Sequence, residues 1–366
     1  MRPLLTRTRA LVSAAAAVLA VAFTGPAAHA DPAVPPTLTD GYGLTQVGTA
    51  QGTATNFVLT VTTPAVAGQH HIRVIVPSSY YTDTSTRYPV FYFLHGVGDD
   101  PSNPHLAYPA MLASQKVITV VPDGGLRGWY TDWVRQDTAA GAQNWETFHL
   151  NQVIPFIDAN FRTVAAKSGR AVGGLSMGGF GALHYAEDRP ELFSQAVSLS
   201  GAIDFNLYWV RTAIRGTLSN VGFAMSGTSG SGEGTGGSGF GPAVPTDSAF
   251  GPLNEAGDMS AALAHGPVVN AGKLAGVGVS LYTGAGDGNP INVVLDEPAF
   301  AESVTEVAQK NMKAALDKAG HPYYAVDYGN GKAWGPNCQG KHTAGCWGQD
   351  LVDYLPRLEQ AFAAAG

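Results

Sequence analysis

Residues 170–201 read RAVGGLSMGGFGALHYAEDRPELFSQAVSLSG, and Gly173, Gly174, Gly178 and Gly179 flank the single serine Ser176. RAVGG is a short apolar run, as in a strand. MGGFGALHYAEDRP predicts a helix that ends before Pro190. AVSLSG, residues 196–201, predicts the next strand. The pentapeptide Gly174-Leu175-Ser176-Met177-Gly178 therefore falls on a turn from strand to helix. In a nucleophile elbow that turn is sharp, and it holds the serine in a strained backbone conformation. Side chains at the flanking positions would collide with the neighbouring strand or helix, so glycine fits there. The helix start directs free N–H groups and a positive dipole end toward the hydroxyl. Glycine and serine are common, and a G-x-S-x-G match alone also fits a turn packed closely for purely structural reasons. The strand-then-helix setting favours catalysis, with Ser176 as nucleophile.

Outward from this turn the chain alternates strands and helices. NFVLTVTT (Asn56–Thr63) and HHIRVIVP (His70–Pro77) predict an antiparallel hairpin. YPVFYFLHG (Tyr88–Gly96) and VITVVPDGG (Val117–Gly125) are continuous apolar runs, the pattern of strands buried on both faces. Asn144–Phe161 has apolar residues at helical spacing, with a kink expected at Pro155. GVSLYTG (Gly278–Gly284) and YYAVDYG (Tyr323–Gly329) predict later strands, each followed or preceded by a long helix. This order implies an α/β fold, a mostly parallel central sheet with helices on both faces. SGTSGSGEGTGGSGFGP (Ser226–Pro242) interrupts it as a flexible Gly/Ser insertion, at about 226–242, within one domain spanning 31–366.

A serine hydroxyl needs a base to take its proton, and the base needs an orienting acid. In the elbow architecture the chain order is serine, acid, histidine. His265, His321 and His342 lie beyond the nucleophile helix. His321 opens the last strand and faces the wrong edge of the sheet. His265 precedes the strand expected to carry the acid. His342 follows the last strand, at the carboxyl end of the sheet where ligands bind, and is the candidate base. Asp287, in GAGDGNP, is the nearest carboxylate after GVSLYTG and the candidate acid. Asp296 and Glu297 are the alternatives, with a solvated loop charge or a helix cap as the blander role for both. The oxyanion donors fall on the amides of Met177 and Val97, the latter in His95-Gly96-Val97-Gly98 after a predicted strand. His95 reads as structural, and Asp99-Asp100 as a solvated turn rather than a metal site. Trp129, Trp133 and Trp145 are either groove-lining or ordinary core.

The first thirty residues have a basic start, an apolar run from Ala10 to Phe23 and the small-residue site Ala28-His29-Ala30. This is the pattern of a secretory leader cleaved after Ala30, and it implies a secreted or cell-wall location. Removing the leader's three arginines from the 21 basic residues leaves 18 against 28 acids, a net charge of −10. An acidic chain without a Lys/Arg run argues against nucleic acid and anionic membrane surfaces as partners. Cys338 and Cys346 are expected to pair in an oxidising compartment and to brace the loop carrying His342. No metal or organic cofactor is implied.

Several segments together resemble the mycolyltransferases of the antigen 85 complex and related secreted esterases. They are VPDGGLRGWYTDW, NWETF, GLSMGG, YTGAGDGNP, the helix from Phe300 to Gly320, and KHTAGCWG. The resemblance implies an α/β-hydrolase fold and acyl transfer through a seryl ester, from an acyl ester or glycolipid to a sugar such as trehalose. It places the nucleophile on Ser176, the base on His342 and the oxyanion donors on Met177 and Val97, and it matches Trp347 beside the histidine. The family's acid is a glutamate. Even spacing between Gly284 and Phe300 puts that position on Pro290, so Asp287 is expected to substitute. Release of the acyl group to water would make the chain a carboxylesterase. A non-catalytic cell-wall or matrix-binding protein on the same fold is the reading from another class.

Overall fold

The computed structural model describes residues 34–220, 240–286 and 296–365. The expected leader (1–30), most of the Gly/Ser insertion and Asp287 lie outside the described residues. The described strands are β1 (Thr45–Gln46), β2 (Gln51–Gly52), β3 (Asn56–Thr62), β4 (His70–Ile75), β5 (Val90–Leu94), β6 (Ile118–Pro122), β7 (Arg170–Leu175), β8 (Gln195–Leu199), β9 (Gly278–Thr283) and β10 (Tyr323–Asp327). They form one sheet in the order β1-β3-β4-β6-β5-β7-β8-β9-β10, with β2 also paired to β3. β3 and β4 are the expected antiparallel hairpin, and β4 joins β6 antiparallel. From β6 to β10 every pair is parallel.

The apolar runs read as strands buried on both faces because each face has its own core. Along β5, Phe91 and Phe93 enter one cluster with Tyr354, Leu355 and Leu358 of the final helix, Ala344–Ala365. Val90, Tyr92 and Leu94 point the other way, into the cluster that holds Phe180 and Leu183 of the helix that follows Ser176, Met177–Asp188. Side chains alternate across a strand, so a strand with helices on both faces has no polar side to show. Burying one such phenylalanine contributes about 1.5–3 kcal/mol, so leaving either face of β5 bare would be costly. Gly173 in β7 leaves room for the side chains of the strands on either side: a Cβ there would lie 2.4 Å from Val197 Cγ1 of β8 and 2.7 Å from Phe91 Cε2 of β5.

The kink expected at Pro155 takes a specific form. Residues Thr147–Val153 are π-helical, and Ile154–Asn160 continue as α-helix with Pro155 in the first turn. Proline lacks the donor that an uninterrupted ladder needs, and the first turn of an α-helix is where that loss is tolerated.

Register and topology together position the site. β5 sits between β6 and β7, so the chain leaves β5 toward β6 on one side and later adds β7 on the other. That reversal opens a crevice at the carboxyl ends of β5 and β7. In register, Leu94 pairs with Gly174, Leu175 with Leu199, and Leu199 with Tyr282. The residues that follow these positions, Ser176, Ser200 and Thr283, consequently stand in a row along one rim of the sheet.

Candidate active site

Ser176 joins β7 to its helix with φ 54° and ψ −117°, a backbone conformation that L-residues avoid. Its amide donates to Leu199 O at 2.9 Å, which ties the bend to β8. The flanking glycines are obligatory. A Cβ on Gly178 would sit 2.0 Å from Leu94 O, and one on Gly174 would sit 2.4 Å from Gly178 O. These are backbone contacts, so no rotamer change relieves them. The packing that forbids a side chain is the same packing that raises the serine.

Ser176 and His342 line one cleft, open to solvent at its mouth, together with Val97, Trp129, Trp209, Phe300 and other mainly apolar residues. His342 lies between β10 and the final helix and is 1% exposed. Its Nδ1 stands 2.9 Å from Oε2 of Glu302, and its Nε2 makes no hydrogen bond among the described residues. A carboxylate beside Nδ1 keeps the proton on that nitrogen and leaves a lone pair on Nε2. The ring is held from two more directions. Trp347 packs edge-on against it at 4.9 Å, and the His342 amide donates to Pro298 O at 3.0 Å. Cys338 and Cys346 form a disulfide that brackets the loop.

Glu302 is fully buried, on the helix Glu297–Ala319. Its Oε1 accepts from Gly284 N at 2.6 Å, Ser200 Oγ at 2.8 Å, Tyr328 Oη at 3.0 Å and Thr283 Oγ1 at 3.1 Å. Burial and the Glu302 charge push the Tyr328 phenol well above its ordinary value, so it remains a donor. Hydrogen bonds to a charged group contribute about 1.5–3 kcal/mol each, enough to offset the cost of burying a carboxylate. Trp347 Nε1 donates to Ser200 Oγ at 3.2 Å, which links the residue bracing the histidine to the residue bracing the acid.

The amides of Val97 and Met177 make no hydrogen bond among the described residues. His95 fixes the loop that carries Val97. Its Nε2 accepts the Gly124 amide at 2.8 Å, and Gly98 N donates to Leu126 O at 2.8 Å. Trp129 is 2% exposed with its indole N–H on Thr217 Oγ1 at 3.0 Å, so it forms a fixed wall of the cleft.

The other expected site residues are placed as follows. Trp347 does not line the cleft; it is 1% exposed, on the core-facing side of the first turn of the final helix, and supports His342 from behind. Asp296 caps its helix by accepting from Ala299 N at 3.1 Å and pairs with Lys341 Nζ at 2.8 Å. His321 bonds to the carbonyl of Leu274, and His265 packs beside His184 and Phe250, neither of them in the cleft. Trp133 and Trp145 donate to Gly128 O and Gln143 Oε1 and belong to the core. Asp99 faces His105 and Asp100 faces His71. Asp287, the expected acid, lies outside the described residues, and the carboxylate at Nδ1 of His342 is Glu302. The even count along the loop missed it because the acid is carried on the helix. A usable signal was present in the sequence. Glu302, Thr305, Gln309, Met312 and Leu316 repeat at helical spacing on the buried stripe, where an acid is out of place unless paired.

The chain matches the model of the family described as "Putative esterase" over residues 63–358. It is 41% identical over 165 residues to the esterase Rv1288 of Mycobacterium tuberculosis, which is 44% of this chain and 36% of that protein. The chain thus spans little more than a third of that relative's length. It is 26% identical over 310 residues to the diacylglycerol acyltransferase/mycolyltransferase Ag85A of Mycobacterium ulcerans, covering 82% of this chain and 80% of that one. Its fold resembles that of Mycobacterium tuberculosis MPT51, with TM-score 0.58 and 21% identity over 83% of this chain and 97% of that chain. It also resembles fluorophosphonate-binding serine hydrolase F of Staphylococcus aureus, with TM-score 0.54 and 15% identity over 87% and 99%.

Proposed function

The chain belongs to the esterase family, and on that premise we propose that it is an exported serine enzyme that moves the acyl group of an apolar ester through a seryl intermediate. The observation that carries this reading is the shared cleft: Ser176 at a strained elbow, and a buried His342 whose Nδ1 is held by Glu302 while Nε2 is unpartnered. Ser176 is the nucleophile, His342 the base, and Glu302, in place of Asp287, the acid. The amides of Met177 and Val97 form the oxyanion hole.

Ser176 Oγ attacks the ester carbonyl carbon while His342 Nε2 takes the hydroxyl proton. The carbonyl oxygen becomes an oxyanion and accepts from the two amides; each such donor contributes roughly 3–4 kcal/mol of transition-state stabilisation. Collapse breaks the ester C–O bond, and Nε2 returns the proton to the departing alkoxide. An acceptor hydroxyl then attacks the acyl-serine, giving its proton to Nε2, which passes it to Ser176 Oγ as the product leaves. Glu302 keeps its charge throughout and stabilises the imidazolium formed in each half-reaction. Val97, Trp129, Trp209 and Phe300 surround the position of the acyl group with apolar surface, which fits a hydrocarbon chain.

Water as acceptor gives hydrolysis, the reading favoured by the likeness to an esterase. A sugar hydroxyl as acceptor gives transfer, favoured by the alignment with Ag85A along most of both chains. Incubation of the purified enzyme with an acyl ester, with and without trehalose, separates the two. Free acid in both arms assigns an esterase; a new sugar ester assigns a transferase. The shared premise is tested by a fluorophosphonate probe. Wild type is expected to label and Ser176→Ala to remain unlabelled, and an unlabelled wild type would return the chain to the class of non-catalytic cell-wall binding proteins.

A further inference from the structure

Two turns along the nucleophile helix from Ser176 lies a second group of chemically capable side chains. His184 is 1% exposed and its ring stacks on Phe180 at 5.3 Å. Neither of its ring nitrogens makes a hydrogen bond among the described residues. Nε2 faces Oε2 of Glu146 at 3.5 Å, and Nδ1 faces Oδ2 of Asp188 at 3.6 Å. Both separations exceed ordinary N–H···O lengths. One ligand atom from each of Glu146, His184 and Asp188 can be chosen so that all three lie within 4.8 Å of one another. A buried imidazole is normally satisfied, and this one is aimed between two carboxylates without bonding to either.

We propose that Glu146, His184 and Asp188 form a binding site for a divalent transition-metal cation of the zinc class. His184 and Asp188 are four residues apart on one helix, which brings their side chains to the same face. Glu146 comes from the chain just before the π-helical segment Thr147–Val153, so the third ligand is supplied by a different element. The donor set selects the cation. An imidazole with carboxylates suits zinc, whose bonds to both run about 2.0–2.2 Å, whereas calcium and magnesium take oxygen ligands. The side chains of Glu146 and Asp188 are 26% and 33% exposed, which leaves a route inward. Lys273 Nζ lies 3.5 Å from the other Asp188 oxygen, Oδ1, so Oδ2 is free to ligate. The ring of His265 stands 5.5 Å from that of His184. The cation ties the last turn of the nucleophile helix to the start of the π-helical segment. Its role is structural, away from the cleft.

The test uses the tag-free protein, stripped with EDTA and titrated with zinc chloride by calorimetry, with thermal unfolding followed in parallel. One equivalent is expected to bind, and the Tm to rise by several degrees. Asp188→Asn and Glu146→Gln are each expected to weaken binding tenfold or more and to remove the rise in Tm. Fluorophosphonate labelling of Ser176 should persist in both, which shows that they fold. Nuclear magnetic resonance of the histidine nitrogens should show zinc shifting His184. Absence of binding overturns the proposal, as does binding undiminished in the Glu146→Gln/Asp188→Asn double variant. A His184 that titrates as an imidazolium and ignores zinc also overturns it, assigning the cluster to ordinary ion pairing.

Discussion

Nδ1 of His342 and Oε2 of Glu302 lie 2.9 Å apart although 40 residues separate them in the chain. Both side chains are essentially sealed from solvent, at 1% and 0% exposure. Four donors occupy the opposite oxygen of the carboxylate and fix the direction in which Oε2 points. Glu302 therefore orients the imidazole of His342 with little freedom to rotate, and under the proposed mechanism its replacement has consequences that its competitors lack.

Glu302→Gln is expected to lower kcat by roughly 10³–10⁴-fold, because the neutral amide neither enforces the Nδ1–H tautomer nor stabilises the imidazolium. Asp287→Asn and Asp296→Asn should stay within a few-fold of wild type. Steady-state kinetics on a chromogenic acyl ester decides this; equal losses at Glu302 and Asp287 would remove Glu302 from its role.

Ser176 holds a positive φ of 54° without being glycine. Such a conformation stores of order 1–3 kcal/mol, and glycine relieves much of it. Ser176→Gly is expected to raise stability by about 1 kcal/mol in urea unfolding while abolishing turnover. A variant less stable than wild type would show that the elbow stores no strain.

The disulfide closes a loop of sequence separation 8 around His342. Loop-closure entropy for a ring of that size corresponds to about 2–3 kcal/mol. The Cys338→Ser/Cys346→Ser double variant should unfold at correspondingly lower denaturant and lose kcat more than KM, since the base loses its brace. Unchanged kcat at a temperature where the variant is fully folded would limit the bridge to global stability.

His149 is buried, donates from Nε2 to Asp123 O at 2.9 Å and accepts from Tyr185 Oη at Nδ1. Burial, the largest influence, lowers its pKa to about 3. Unfolded, it protonates near 6.5, so between about 6.5 and 3 the unfolded chain binds the extra proton. This contribution to stability is complete above about 6.5 and is lost as pH falls, at up to about 1.4 kcal/mol per unit. His149→Gln keeps a donor and an acceptor but does not titrate. Its stability, measured by urea unfolding from pH 7 to 4, should fall less steeply than that of wild type, and parallel slopes would reject His149 as the source.

Local chemistry carried much of this protein in its sequence. The continuous apolar runs of β5 and β6 could only be strands covered on both faces. The glycines around Ser176 could only serve a bend without room for a Cβ, and Gly178 bears this out with Leu94 O 2.0 Å from where that atom would stand. The place of His342 followed from chain order, since it is delivered after the last strand at the sheet's carboxyl end. The partner of that histidine did not follow. Glu302 is selected by a helix laid across the ends of β8 and β9, where Ser200, Thr283, Gly284 and Tyr328 converge on one oxygen. Trp347 likewise matched by position but turned to the back of the imidazole rather than the cleft, and His184, with Asp188 one turn along its own helix, gained Glu146 only when the chain before Thr147 met that helix. Periodicity and glycine placement act through neighbours in the chain and are legible there. Which carboxylate can be buried and paired depends on donors gathered from distant segments, and only the tertiary structure brings those together.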